Sequence, residues 1–218
     1  DRLTQVAYNT ANGHPRSLPL FFAIGVDKPN PEAVSKRFDV LYNVASDAGK
    51  LQLLDTLFYA LGWNVGGDNV AAILLGKPQL GLRGVFEEVV KRVEDFVSRL
   101  NGVVRAYAVA YLYPGLAVWY ISFSEFDKAV EVAEEALKAL EELWKAYEED
   151  KASTEEKLRP YLELKQVKPD LGKELNDLST YIYYHVARVY RNADELDYAM
   201  KYAEKACELA KKLGDVYY

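Results

Sequence analysis

The residue types that most often catalyse reactions or hold metals are few in this sequence and lie far apart. The two histidines, His14 and His185, are isolated, and neither a CxxC nor an HExxH motif provides metal-ligand spacing. Gly76-Lys77 is not a phosphate-binding loop, because no glycine lies five residues before Gly76 and Pro78 stands where Ser or Thr is required. The sequence therefore predicts no metal site, no cofactor and no enzymatic activity.

Two further features could carry chemistry. The acidic pairs Glu134-Glu135 and Glu141-Glu142 could transfer protons in a helical hydrolase, but their spacing places them on the solvated face of an amphipathic helix. Cys207 is the single cysteine and lies among alanines, so we expect a small buried residue rather than a nucleophile. A helical hydrolase is accordingly the third of three functional hypotheses.

Composition indicates a folded protein that does not bind nucleic acid. Half of the 218 residues are hydrophobic, enough for a sizeable core. The net charge is −6, and residues 124–150 contain ten acidic and three basic residues, whereas no basic stripe occurs elsewhere. One Cys and one Met among many Glu, Lys and Val are typical of a heat-adapted cytoplasmic protein. The chain begins at Asp1, without a recognisable signal peptide, which suggests a processed protein or a domain of a longer one.

The segment Ala106 to Ser124 is nineteen residues without a charge, close to the length that spans a bilayer. It also contains four tyrosines, Trp119 and a central Pro114-Gly115. We therefore expect a buried helix, with a membrane span as the alternative. Pro114 is expected to break or kink this helix.

Glycine divides the chain into two regions. Eleven of the thirteen glycines lie in residues 1–115, which predicts short helices joined by tight turns in an N-terminal region, 1–102. Its first 29 residues are partly irregular, and Leu18 to Val26 is either a buried strand or a buried extended segment. Asn30-Pro31 predicts a helix start, that helix should end near Gly49, and Asp68 is expected to cap a short helix.

Residues 103–218 contain two similar hairpins, 104–149 and 170–213, separated by a connector at 151–169 with one short helix near Glu155 to Gln166. A shift of seventy residues aligns them without a gap. The shift places Tyr113, Ala117, Tyr120, Ser124, Ala129, Ala133 and Ala136 on Tyr183, Ala187, Tyr190, Asp194, Ala199, Ala203 and Ala206. Ser124 with Asp127 is expected to form a capping box at the start of the second helix.

The pattern Tyr183-x2-Val186-Ala187-x2-Tyr190 followed by Ala199-x3-Ala203-x2-Ala206 resembles the tetratricopeptide repeat family. The resemblance covers residues 106–213, although 148–171 do not carry the motif. It implies an all-α fold, a right-handed array of helical hairpins preceded by an N-terminal bundle of shorter helices. It also implies a module that binds a protein or peptide.

In that family, ligands lie against the exposed face of the first helix of each hairpin. On the second hairpin those positions are Tyr181, Tyr184, His185, Arg188, Arg191 and Asn192. Aromatic rings beside two guanidinium groups would suit a peptide carboxylate or an acidic segment. The alternative is that these side chains pack on the connector or pair with its acids.

A second, shorter resemblance lies near the N-terminus. Gly13-His14-Pro15-Arg16-Ser17-Leu18 is similar to a stretch at the end of the nucleotide-binding region in archaeal and signal-transduction ATPases. It implies that the chain is the C-terminal sensor part of a larger ATPase, which is our second functional hypothesis. The first is a non-catalytic interaction or scaffold module, in which apolar surface with Tyr198, Tyr202, Tyr217 and Tyr218 makes a homo-oligomer possible.

Overall fold

The computed structural model of the chain describes residues 31–65, 67–164 and 170–214, of which 83% are helical. The helices are α1 (Pro31–Val44), α2 (Asp47–Leu61), α3 (Val70–Leu74), α4 (Leu82–Val97), α5 (Gly102–Ser122), α6 (Phe126–Glu149), α7 (Lys151–Glu163), α8 (Leu171–Asn192) and α9 (Leu196–Leu213). Between α2 and α3, β1 (Asn64–Val65) pairs antiparallel with β2 (Asp68–Asn69), Asn64 opposite Asn69. The all-α expectation is confirmed. The predictions for Gly13 to Leu18 and Leu18 to Val26 lie outside the described residues.

The chain groups into two compact units that divide between Asp95 and Phe96. In the first unit, α1 begins at Pro31 as expected but ends at Val44, five residues before Gly49. The reason is a new helix start, because the Ser46 hydroxyl oxygen accepts a hydrogen bond from the Gly49 amide at 3.2 Å. Gly49 therefore lies in the first turn of α2, and the predicted boundary was wrong.

The short helix α3 is capped by Asn69 rather than by Asp68. Oδ1 of Asn69 accepts from the amides of Ala71 and Ala72 at 3.0 and 3.3 Å. Its amide nitrogen donates to the Leu61 carbonyl at 2.8 Å, so one side chain joins the end of α2 to the start of α3. Asp68 is part of β2, one residue too early to cap, and the prediction for it was wrong.

In the second unit, α5 packs along α6 and α8 packs along α9, so the two predicted hairpins are both present. Helix α5 continues through Pro114, and the expected break is absent. Proline removes one helical hydrogen bond and its ring crowds the carbonyl four residues earlier, which costs about 3 kcal/mol. Leu112 and Leu116 on either side are buried, at 0% and 2% exposure. Packing on both sides of the proline therefore holds the helix together.

The turns of the two hairpins have the same backbone hydrogen bonds. Glu125 N–H donates to the Tyr120 carbonyl and Ser124 N–H to the Ile121 carbonyl, at 2.9 Å each. Glu195 and Asp194 repeat this pattern seventy residues later, and the φ angles of Ser124 and Asp194 are 61° and 63°. This is a Schellman motif, which ends a helix with one left-handed residue.

The expected capping box of Ser124 is therefore wrong. Ser124 is the left-handed residue that ends α5, and the residue that precedes α6 is Glu125, whose side chain makes no capping hydrogen bond. Helix α6 begins with a backbone hydrogen bond instead, in which the Glu125 carbonyl accepts from the Ala129 N–H at 3.0 Å. The turn in the second hairpin is built in the same way.

Small residues line the face of α6 that packs in the core. Ala129, Ala133 and Ala136 are 0%, 1% and 0% exposed. Because an alanine adds little beyond the backbone, neighbouring helices can approach closely at these positions. These alanines are thus buried on a helix that contacts both α5 and α8.

The connector is more ordered than expected. Helix α7 begins at Lys151, four residues before the predicted Glu155, because the Asp150 carboxylate accepts from the Ser153 amide at 3.0 Å. Leu158 and Leu162 are buried, and α7 contacts α5, α6 and α8. Gln166 lies outside the described residues. The connector is thus a packed helix of the second unit.

A buried hydrogen bond also joins the two hairpins. The hydroxyl of Tyr107 on α5 donates to Oε1 of Glu174 at 2.7 Å, and these residues are 0% and 6% exposed. Glu174 lies in the first turn of α8, where the helix dipole favours a negative charge. Nothing in the sequence analysis singled out either residue.

Two further expectations concern exposure. Cys207, expected to be buried, is exposed, because its position on α9 lies beside the core face formed by Ala199, Ala206 and Ala210 rather than on it. Among the described helices, including α5, none is long and apolar enough to cross a membrane.

Candidate functional site

The six residues predicted to bind a partner all lie on α8, and the structure brings four of them together. Tyr181, Tyr184, His185 and Arg188 are spaced by one, three or four residues, so they share one side of the helix. Tyr184 is 40% exposed, whereas the other three are half-buried. We call these four residues the α8 cluster.

An imidazole lies at the centre of the α8 cluster. The ring of His185 meets the ring of Tyr181 at 4.4 Å and that of Tyr184 at 5.1 Å between centroids, both edge-on. Such edge-to-face contacts are favourable because the positive edge of one ring meets the negative face of another. The two tyrosines therefore hold the histidine in place.

The guanidinium of Arg188 lies over the ring of Tyr184, 5.7 Å from its centroid. Arg191 and Asn192 are exposed in the last turn of α8, and the Asn192 amide donates to the Arg188 carbonyl at 2.7 Å. Neither arginine takes part in an ion pair with another described residue, including the acids of α7. Two cations are therefore available to a ligand on this side of the second unit.

His185 is uncharged at neutral pH. Burial, and then the nearby positive charge of Arg188, lower the pKa of His185 from 6.5 to about 4. Its Nδ1 atom is buried and has no hydrogen-bond partner among the described residues. The α8 cluster therefore presents guanidinium charge and aromatic rings, and its imidazole adds no further charge.

Comparisons of this chain with protein-family models, with curated proteins and with solved structures found no match. A planar guanidinium recognises carboxylates through paired N–H donors, and stacking on an aromatic ring orients it for this contact. The α8 cluster has the chemistry of a binding surface for an acidic group next to an apolar one.

The described residues contain no group of three or more His, Cys, Asp or Glu that could hold a metal ion. Of the acidic pairs, Glu134, Glu135, Glu141 and Glu142 are all exposed on α6. Glu134 accepts a hydrogen bond from the hydroxyl of Tyr190 at 3.0 Å. Burial, followed by this bond, raises the pKa of Tyr190, so the hydroxyl stays protonated and links α8 to α6.

Tyr198 and Tyr202, expected on an apolar surface, form a cluster with two tyrosines of α8. Tyr190 stacks on Tyr198 and Tyr202 with centroids 5.2 and 5.8 Å apart, and Tyr183 stacks on Tyr202 at 5.9 Å. The ammonium of Lys205 lies 5.2 and 5.4 Å from the rings of Tyr183 and Tyr202. The spacings of seven residues on α8 and four on α9 place each pair on one helix face, which is the signal that could have revealed this cluster.

His185 is expected to make the stability of the second unit depend on pH. The pKa of His185 is lower in the folded chain than in the unfolded chain, so below pH 6.5 the unfolded chain binds a proton that the folded chain does not. The free energy of unfolding therefore decreases as the pH is lowered from 6.5 to about 4. We expect a loss of about 2 kcal/mol over this range, less than the full shift implies because water reaches part of the ring. Denaturant unfolding at a series of pH values measures it.

The matched variant is His185→Phe, which keeps an aromatic ring but cannot be protonated. Its unfolding free energy should fall less than that of the wild type between pH 6.5 and 4. If the two pH profiles have the same slope, His185 is not the group responsible.

Proposed function

We propose that this chain is a non-catalytic protein-interaction module whose tetratricopeptide-like second hairpin binds an acidic peptide segment or a peptide carboxylate on the α8 cluster. The observation that carries the proposal is the Arg188 guanidinium, which lies over the exposed Tyr184 ring without a carboxylate partner among the described residues. An oriented guanidinium on a folded helix loses little conformational freedom when a ligand binds.

Arg191 supports the same proposal. It lies three residues after Arg188, so both side chains reach the same side of α8, and it is exposed. Two guanidinium groups at this spacing can hold one carboxylate each, or both oxygens of a chain-terminal carboxylate. The rings of Tyr181 and Tyr184 offer apolar contact beside them, as a peptide side chain requires.

The hypothesis of a sensor part of a signal-transduction ATPase stays a sequence prediction. It rests on Gly13 to Leu18, which lie outside the described residues. The described second unit favours the interaction module, because its exposed functional groups are cations and aromatic rings on the outer side of a stacked hairpin.

The test uses fluorescence anisotropy with a labelled peptide that combines several glutamates, one aromatic residue and a free C-terminal carboxylate. Replacing both Arg188 and Arg191 by glutamate should weaken binding at least about tenfold, since each charge-assisted contact contributes roughly 1.5 to 3 kcal/mol. Wild-type binding should also weaken with added salt. The Arg188→Lys variant keeps the charge but loses the paired donors, so an intermediate affinity is expected.

The matched control is Arg159→Glu, the same charge change at an exposed arginine on α7 of the same unit. It should bind the peptide like the wild type apart from a small long-range effect. The proposal fails if the α8 variants bind as well as this control, or if their melting temperature drops while that of the control does not. In the second case the arginines are structural.

A further inference from the structure

Helix α9 has an apolar stripe that lies beside its core-facing side. Leu196, Met200, Ala203 and Cys207 are spaced by four, three and four residues and so lie on one helix face. Leu196 and Met200 are 58% and 61% exposed, Cys207 is exposed and Ala203 is half-buried. We call these four residues the α9 stripe.

The internal repeat indicates what kind of surface the α9 stripe is. The seventy-residue shift places it on Phe126, Val130, Ala133 and Leu137 of α6. Helix α8 packs against α6, and Ala133 is 1% exposed. The face of α6 is therefore partly covered, with Phe126 37% exposed and Val130 and Leu137 half-buried, whereas Leu196 and Met200 on α9 are mostly exposed.

The charges beside the α9 stripe indicate which helix would fit. Asp197, Lys201, Glu204, Glu208 and Lys211 follow the stripe along one flank, in the order negative, positive, negative, negative, positive. When the same row of charges is placed beside itself in the opposite direction, each charge except the central Glu204 meets one of opposite sign. If two copies of α9 lie antiparallel and cross at Glu204, each Asp197 faces Lys211 of the other copy, and each Lys201 faces Glu208 of the other copy.

Other arrangements of two copies are less favourable. In a parallel pair, the two-fold axis would run along the helices and place this flank of the two copies on opposite sides of the pair, so none of these ion pairs could form. In the antiparallel pair, the only like charges that meet are the two Glu204 carboxylates at the crossing point. All five flank residues are exposed and free to turn towards a second copy; the Lys201 ammonium lies 5.6 Å from the Tyr202 ring in an exposed contact.

We propose that α9 is a self-association surface on which a second copy of this chain packs antiparallel, with a two-fold axis near Glu204, so that the two stripes overlap between Met200 and Cys207. Such an interface is isologous, so one set of residues serves both copies. The α8 cluster lies on a different helix, so this inference is independent of the proposed peptide binding. At this axis, Met200 of each copy lies beside Cys207 of the other copy and supplies apolar contact, and the four flanking ion pairs set the direction.

The first experiment is sedimentation equilibrium of the full chain over a wide range of protein concentration. The wild type should show a reversible monomer–dimer equilibrium. Met200→Glu should weaken it at least about tenfold, because a charge would be buried in the stripe without a partner. The control is Val44→Glu, the same kind of change at a residue of α1 that is 70% exposed, and it should dimerise like the wild type.

The second experiment tests the antiparallel direction through charge exchange. Lys201→Glu and Glu208→Lys alone should each weaken the dimer about tenfold, since each turns two attractions into repulsions, and the double variant should restore it. Glu204→Gln should strengthen the dimer by removing the repulsion at the axis. Thermal melts of every variant check that the monomer is folded.

Three outcomes would overturn the proposal. The first is a wild type that stays monomeric at all concentrations, in which case the stripe is left for a helix of another protein. The second is a dimer that is unaffected by Met200→Glu. The third is a double variant that is no better than the single variants, which would rule out this register.

Discussion

Replacing Glu174 by alanine is expected to lower the free energy of unfolding of the second unit by about 2 to 4 kcal/mol. The Tyr107 hydroxyl would then be buried without its acceptor, and a cavity would replace the carboxyl group. The effect is large because the two hydrogen-bonded atoms are withdrawn from water, which cannot replace the lost partner. Denaturant unfolding followed by circular dichroism measures it.

A double-mutant cycle with Tyr107→Phe separates the hydrogen bond from the cavity. Tyr107→Phe alone should cost about 1.5 to 3 kcal/mol, and the double variant should cost less than the sum of the single changes. The control is Tyr198→Phe, the same change at a tyrosine that is 49% exposed, with an expected effect within about 0.5 kcal/mol. Additive costs in the cycle would show that Tyr107 and Glu174 do not stabilise the unit as a pair.

The second large effect is expected at the buried alanines of α6. Replacing Ala133 by leucine inserts three carbon atoms at a position that is 1% exposed, so helix α6 must move away from its neighbours. Overpacking of this kind costs about 1 to 3 kcal/mol. A lower midpoint of urea unfolding with an unchanged m-value would report it.

The internal repeat provides a matched control, because Ala203 occupies the equivalent position on α9 and is half-buried. Ala203→Leu should cost less than about 1 kcal/mol, since Ala203 is half-buried and the added atoms are only partly enclosed. If Ala133→Leu is equally well tolerated, α6 is not closely packed at this position. A large loss of stability with Ala203→Leu would instead show that Ala203 is packed as closely on α9 as Ala133 is on α6.

The helices of the second unit could be predicted from sequence because each repeats an apolar pattern over several turns. The seventy-residue match also located both turns, Ser124 and Asp194. It could not tell how they are built, since serine and aspartate are common both at the start of a helix and, less often, in left-handed positions. Only the φ angles distinguish a residue that ends one helix from a residue that caps the next.

Burial and long-range pairing were harder to predict. Cys207 lies among alanines in sequence, but a shift of about one-tenth of a turn around a helix axis decides whether a residue faces the core or solvent. The bond between Tyr107 and Glu174 joins residues far apart in sequence, and neither forms part of a motif. The α8 cluster was predicted as a set of positions, whereas the central place of His185 between two rings emerged only from the structure.

The uncharged state of His185 has a consequence for where such a surface could operate. Because the pKa of His185 is about 4, acidification from neutral pH to pH 5 leaves most of its rings uncharged. The imidazole would therefore add no charge to the α8 cluster in either a neutral or a mildly acidic compartment. This ring would not act as a pH switch for a negatively charged partner, whereas ionic strength would screen the encounter.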